Sequence, residues 1–471
     1  MKLNKQTFGV IIATRNIFNA KLAVEARAKV LDKLDKMGFN TIILASEETP
    51  TGNIEGYVDA VKCAQLFKKN SDVIEGIIVV LPNFGDELGV VNSIKMSGLK
   101  VPVLVQAVDD DNDKVDVKSR RDAFCGKLSV CNNFYQYGIK FTDTIYHTYS
   151  LDSKEFTKDI LKFAGICRVV KGMRGLRVGA IGTRPMGFQT MRFSEKLLQM
   201  HDITIIPVDM SEIISAAEKI SETDPAVIEK VEAIQNYGSC SIVHKGKIAK
   251  QARFGLAVEN WIQENNIDIS AIQCWESIEK NYGCAACVTM SMMGEKLMPS
   301  ACEVDVAGTI SMYALALAAQ TPSAILDWNN NFAEDRDKVV CTHCSNYPKS
   351  FFQNDIEIGT LDVLGTVLGH ENTFGAVKGK VAAGDMTYFR ISTDDMKGTI
   401  KTYLGEGTMT DDPYGMDGGI AVCKIPNLQN LMKYMCKNGF EHHVAMVRGH
   451  VEEILEEAIG NYMGWDIYIH K

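Results

Sequence analysis

Runs of residues that are apolar at every position, rather than at every second one, punctuate residues 1–345. FGVIIATR (8–15), NTIILAS (40–46), EGIIVVLP (75–82) and VPVLVQA (101–107) are separated by amphipathic helical stretches at 20–39, 54–70 and 86–98. A strand that is apolar on both faces needs a cover on each, and helices between successive strands supply both covers while making the strands parallel. The alternation restarts with GLRVGAIGTRP (175–185), ITIIPVD (203–209) and ISAIQCW (269–275), and takes in SAILDWN (323–329) and KVVCTHCSN (338–346). The expected fold is α/β, with two doubly wound parallel-sheet domains of flavodoxin-like kind at 1–165 and 166–345. From 346 to 471 the segments are rich in Gly, Thr and β-branched residues with turn residues at short intervals, as in 375–393, 398–407 and 418–426. These predict a β-rich third domain of antiparallel strands, with a final helix at 451–464 closing the chain.

Composition narrows the function classes. The net charge of −9, from 50 basic and 59 acidic residues, repels phosphate backbones, and no basic stripe is present, which argues against a nucleic-acid partner. No apolar run approaches the about 18 residues of a membrane span, and the N-terminal run is too short for a signal-peptide core. A cytoplasmic protein with no membrane partner is expected. The 13 cysteines are odd in number, scattered and mostly in core-like contexts, as reduced thiols acting as small apolar residues would be. Two C-x-x-C pairs, Cys284/Cys287 and Cys341/Cys344, allow an alternative, a zinc-stabilised scaffold. The gap between the pairs is far longer than the about 15–20 residues of zinc ribbons.

Ligands of open α/β sheets bind beyond the carboxyl ends of the strands. Arg15 follows the first strand, Arg184 follows GAIGT, Gln273 lies in SAIQCW and Asp327 ends SAILD, so together they describe a rim. GAIGTRPMG (179–187) matches neither dinucleotide-binding nor Walker patterns. His343 and Asn346, in THCSN, project toward the same rim. Glu303 and Asp305 precede an Ala-Leu-rich helix, surroundings in which an unpaired carboxylate is costly. In NGFEHHVAMVRGH (438–450), His442 and His443 precede an apolar strand and should point to opposite faces. Glu, Asp and His supplying O, O and N ligands make a site for a divalent cation such as Mn²⁺.

With these residues in view, the sequence resembles the L-fucose isomerase and L-arabinose isomerase superfamily, nearer the fucose isomerase branch. Glu303 in CEVDVAGTISMYAL, Asp327 in AILDWNNNF and a histidine before the C-terminal GH-containing strand carry the resemblance; alignment back from Gly449 and His450 selects His443 over His442. Gln273 stands where that family has a substrate-contacting glutamine. The resemblance implies a homo-oligomeric (hexameric or other multimeric) enzyme of carbohydrate metabolism that interconverts a free aldose and its ketose through a cis-enediol. Glu303 and Asp327 would be both metal ligands and proton-transfer groups, His443 the third ligand, and Asp305 a supporting acid. Arg15, Arg184, Gln273, Asn346 and His442 would meet the sugar. L-fucose, L-arabinose or a related deoxy-sugar is implied, and the rim arginines suggest one with an anionic group at C6, such as sulfoquinovose. The chain is shorter than typical fucose isomerases, and the aromatic residues that frame the sugar there have no recognisable counterparts. A non-catalytic sugar-binding protein is the remaining alternative.

Overall fold

Neighbouring residues of the first strands go to opposite sides of their sheet. In the computed structural model, which describes residues 5–15, 17–240, 245–344, 346–415 and 418–471, Phe8, Val10, Ile12, Ile78 and Val80 join one buried cluster, while Ile11, Ala13, Ile77 and Val79 join another. This period of two with both faces buried is what a doubly covered sheet requires. The strands are β1 (Thr7–Ile12), β2 (Asn40–Ile42), β3 (Ile74–Leu81) and β4 (Val103–Ala107), parallel and ordered β2-β1-β3-β4. They form the core of a compact N-terminal unit that runs to Lys171 and also includes Glu457–Met463. The latter segment is a π-helix whose Tyr462 hydroxyl accepts from the Val103 N–H at 3.1 Å, beside Thr142 Oγ1 at 2.9 Å.

The larger unit spans Gly172–Glu456 and Gly464–Lys471. Its parallel sheet is β6-β5-β7-β8, built from β5 (Leu176–Ile181), β6 (Ile203–Val208), β7 (Ile269–Ile272) and β8 (Ser300–Cys302). Its second sheet holds β9 (Ser323–Phe332), β10 (Asp335–His343), β11 (Glu357–Thr360), β12 (Phe374–Lys380), β13 (Gly384–Asp394), β14 (Thr399–Met409), β15 (Gly419–Lys424), β16 (His443–Arg448) and β17 (Asp466–His470). The antiparallel pairings β15-β10-β9-β16-β13-β14 close back on β15 through Thr408↔Lys424 and Met409↔Cys423, making a barrel. Leu326, Cys341, Tyr388, Tyr403, Val444 and Met446 belong to one of its buried clusters.

The structure departs from the sequence expectation in three places. SAILDWN and KVVCTHCSN, read with the second parallel sheet, are strands β9 and β10 of the barrel; an apolar run alone does not say which sheet a strand joins. The C-terminal helical stretch does not close the chain, because β17 follows it and pairs parallel with β14. NTIILAS yields only the three-residue strand β2. The Ala-Leu-rich segment forms the helix Val306–Ala319, buried from Val306 through Ala318. It packs on β5, β7 and β8 on one side and on β9, β13 and β16 on the other, which explains why it is apolar all round.

Glu279, in the short helix Ser277–Asn281, is fully buried, and burial pushes its pKa up to about 7 from an ordinary 4.5. Folding thus takes up a proton between those two values, so this group favours the fold below about pH 4.5 and disfavours it increasingly as pH rises through about 7. Glu279→Gln is expected to gain stability over the parent by an amount on the order of 3 kcal/mol at pH 8 and to show little difference near pH 5, in urea unfolding followed across pH.

Candidate metal centre

At the end of β8 the chain turns through Glu303 and Val304, both left-handed at φ 60° and 54°, before entering the helix Val306–Ala319. Such backbone costs about 1–3 kcal/mol per residue and has to be held in place by its surroundings. Asp305 does the holding. Its Oδ1 caps the helix by accepting from the Gly308 N–H at 2.9 Å and accepts from Arg390 Nη2 at 3.0 Å, while its Oδ2 accepts from Arg390 Nη1 at 2.6 Å. A Cβ at position 308 would lie 2.2 Å from Asp305 Oδ2 and 2.8 Å from Arg390 Nη1, so the approach needs glycine. Arg390, on β13 and 1% exposed, also donates from Nε to Glu441 Oε2 at 3.2 Å, and Glu441 Oε1 accepts from the Ser392 hydroxyl at 2.7 Å.

The other two sides of the centre come from the barrel. On the antiparallel pair β9 and β16, Asp327 lies directly opposite His443, which is fully buried. His443 Nδ1 lies 2.8 Å from Asp305 Oδ2, so the N–H donates to the carboxylate and the ring is fixed with Nε2 turned toward the other two acids. Nε2 is 3.3 Å from Asp327 Oδ1 and 3.4 Å from Glu303 Oε2. All three of these atoms are buried, and none has a hydrogen-bond partner. Three acceptor atoms at this spacing need positive charge among them, either a proton on His443 or a cation. The set O, O, N suits a divalent ion of the harder kind, and an imidazole anchored through its other nitrogen by a carboxylate is how metal-binding histidines are usually held. The residues therefore fit a metal ion.

Electrostatics sharpen the picture. Burial, against the pull of His443, raises Glu303 to about 7, and burial raises Asp327 to about 6. For Asp305 burial acts in the same direction, but Arg390 and His443 outweigh it and hold the carboxyl well below its usual range. The Asp327 side chain is 22% exposed although its Oδ1 is buried, so one edge of the carboxylate faces outward.

Of the sequence candidates, His442 borders this opening. His442 is 40% exposed with Nε2 3.8 Å from Asp327 Oδ1 and Nδ1 3.4 Å from Thr190 Oγ1, and burial followed by the neighbouring His443 lowers it to about 4. Asp327, His442 and His443 offer ligand atoms within 4.8 Å of one another, as do Cys302, Glu303, His343 and His443. Gln273 Oε1 accepts from the Thr183 N–H at 3.1 Å, tying the end of β7 to the loop after β5. Arg184 donates to the carbonyls of Pro185 at 3.1 Å and Phe188 at 3.3 Å, so it braces that same loop. Asn346 donates to the Ser300 carbonyl at 3.2 Å and leaves its buried Oδ1 without a hydrogen-bond partner. Arg15 lies in the N-terminal unit, paired with Glu87 and stacked 4.7 Å over the Phe84 ring.

Sequence reasoning missed Arg390, Glu441, Cys302 and an aromatic wall. Phe188 meets Trp275 edge-on at 5.4 Å and lies 6.3 Å from the His442 ring. These aromatics sit in loops with no periodic signal. Among the described residues neither C-x-x-C pair enters a cluster that could hold an ion, which removes the basis for the zinc-scaffold alternative.

Residues 9–174 match the model of the fucose/sulfoquinovose isomerase N-terminal domain, and residues 341–470 match that of the L-fucose isomerase C-terminal domain. The chain belongs to the fucose isomerase family. It is an enzyme of the aldose–ketose isomerase class, which sets aside the non-catalytic alternative. Sulfoquinovose isomerases of Priestia aryabhattai and Priestia megaterium are each 24% identical to it over 94% of both chains. That of Alkalicoccus urumqiensis is 25% identical over 61% of this chain and 63% of its own. Among the described residues, no helix is long and apolar enough to cross a membrane.

Replacing Arg390 by Met in this family member leaves Asp305 and Glu441 buried without their counter-charge. The expected loss of stability is about 3–5 kcal/mol, measured by chemical denaturation.

Proposed function

We propose that this isomerase is metal-dependent and acts on a free sugar carrying an anionic C6 group, a 6-deoxy-6-sulfo aldose such as sulfoquinovose, in preference to the L-fucose or L-arabinose type. The observation that carries the metal dependence is the convergence of Glu303 Oε2, Asp327 Oδ1 and His443 Nε2, buried and lacking hydrogen-bond partners, beside one outward-facing carboxylate edge. Glu303, Asp327 and His443 would hold a divalent cation such as Mn²⁺, whose chemistry there would be Lewis-acid polarisation of the sugar.

The chain's own residues do the rest. Glu303 and Asp327 come from different elements, the β8 turn and β9, so they can address the sugar from two sides. One takes the carbon-bound proton from C2 and the other serves the oxygens, giving the cis-enediol; returning the proton to C1 yields the ketose. His443 keeps its Nε2 aimed at the centre because Asp305 holds Nδ1. Phe188 and Trp275 offer an apolar wall for the carbon face of the sugar, and His442, Gln273 and Asn346 offer polar contacts at its edge.

For the anionic group, the names of the relatives and the arginine on the loop after β5 favour Arg184, with Arg15 as the other candidate. We carry the flavodoxin-like description of the parallel sheets, a multimeric state and a cytoplasmic location as parts of the same proposal.

The test is incubation of the metal-stripped and Mn²⁺-reloaded enzyme with sulfoquinovose and neutral aldoses in D₂O, followed by NMR. Metal-dependent ketose formation with deuterium at C1 of the ketose and at C2 of the recovered aldose, lost in Glu303→Gln and Asp327→Asn, is the expected result; conversion without any metal would overturn the reading. Arg184→Ala and Arg15→Ala are compared on sulfonated and neutral sugars, and the arginine that grips the sulfonate is the one whose loss raises KM for the former alone. Asp305→Asn is expected to weaken Mn²⁺ binding about 10–100-fold in calorimetric titration, because the His443 ring loses its anchor.

A further inference from the structure

Overlapping the proposed catalytic ligands is a second set of donors of a different chemical kind. Cys302, the last residue of β8, places Sγ 3.3 Å from Nε2 of His343, the last residue of β10. His343 in turn stacks edge-on to His443 at 5.1 Å. The ligand atoms of Cys302, Glu303, His343 and His443 all lie within 4.8 Å of one another. Each of these residues is at most 4% exposed. Two of the atoms, Glu303 Oε2 and His443 Nε2, are the orphaned ones already described.

The two overlapping sets differ in three ways. The set of Glu303, Asp327 and His443 contributes three protein ligands and includes a carboxylate with an open edge, so it leaves coordination positions for substrate. The set of Cys302, Glu303, His343 and His443 contributes four ligands, is closed to solvent, and contains one sulfur and two imidazoles. Zinc sites divide along this line: four protein ligands with sulfur and nitrogen make a closed structural site, whereas three leave an open catalytic one. Thiolate and imidazole favour zinc or cadmium over manganese, and zinc also stands above manganese in general ligand affinity.

We propose that Cys302 and His343, with Glu303 and His443, form a thiolate-containing site that captures a thiophilic divalent cation such as Zn²⁺ in an inactive, closed position that excludes Mn²⁺. This inference rests on the metal-centre reading given above, since two ligands are shared. On capture the Cys302 S–H bond breaks, its proton passes to solvent and a metal–sulfur bond forms, with no change in oxidation state. The ion is then held among four side chains that are each at most 4% exposed, with Asp327 Oδ1 4.0 Å from His343 Nε2 and outside the ligand set. Zinc is accordingly expected to inhibit by displacing manganese.

The test uses the full-length metal-free enzyme and cobalt(II) as an optical substitute for zinc. Wild-type protein titrated with Co²⁺ should develop a sulfur-to-cobalt charge-transfer absorption in the near ultraviolet, together with the strong visible bands of a four-coordinate ion. Cys302→Ser should abolish the ultraviolet band and weaken Zn²⁺ binding by more than about 10-fold, at least what loss of a merely supporting residue brings. Its Mn²⁺ binding, read by electron paramagnetic resonance, should be unchanged. His343→Gln serves as a second variant and should also weaken Zn²⁺ but not Mn²⁺. If wild-type protein binds both Co²⁺ and Mn²⁺ with no charge-transfer band, the closed site does not exist and the catalytic reading stands. A band that survives in Cys302→Ser overturns the assignment to this thiol. If neither ion binds wild-type protein, the metal centre itself is wrong, and this inference falls with it.

Discussion

The Asp305 carboxylate is the junction on which the centre depends. It receives four donors, two from Arg390 on β13, one from His443 on β16 and one from the Gly308 N–H at the start of the buried helix. Those donors belong to a barrel strand, a second barrel strand and the helix that follows the parallel sheet. A fully buried carboxylate is tolerated only when its lone pairs are filled and its charge is met. Because the donors come from three different pieces of chain, meeting that requirement fixes where the pieces sit. The left-handed turn at Glu303 and Val304 is held from the same point.

The same junction explains why the three acids differ in their electrostatics. Asp305 is kept ionised and occupied, so it is unavailable as a base. Glu303 and Asp327, with no such donors, are left with orphaned oxygens facing His443. Similar residue types thus acquire different protonation behaviour through their surroundings. The helix Val306–Ala319, buried between sheet and barrel, keeps the Glu303 and Asp305 side of the arrangement away from bulk water.

Much of this was legible in the sequence because burial on both faces leaves a mark. Strands β1, β3, β4, β5 and β7 are apolar runs between helices, and they read correctly as parallel sheets. Glu303 and Asp327 stood out because acids in apolar surroundings are expensive, and His443 stood out through the family resemblance. What escaped had no local mark. Arg390 sits in YFRIST, where one charge in a β-rich segment looks like an outward-facing residue; only the tertiary structure reveals that Asp305 and Glu441 wait for it. Phe188 and Trp275 lie in irregular loops, and their meeting depends on how β5 and β7 align. Strands β9 and β10 carry the same apolar pattern as the parallel strands, so their place in the barrel is set by pairing across long sequence distances, which periodicity does not encode.

Asp327 and His443 face each other because β9 and β16 are paired in one particular register. Side chains alternate across a strand, so a slip by a single residue would send one of the two to the opposite face of the barrel wall. The facing of Asp327 and His443 therefore exists only once the ring of strands has closed in its final alignment. An ion that binds these residues and no misaligned form shifts the folding equilibrium toward correct closure by mass action. On the metal-dependent reading proposed above, ion binding would thereby also favour the correct register of the barrel.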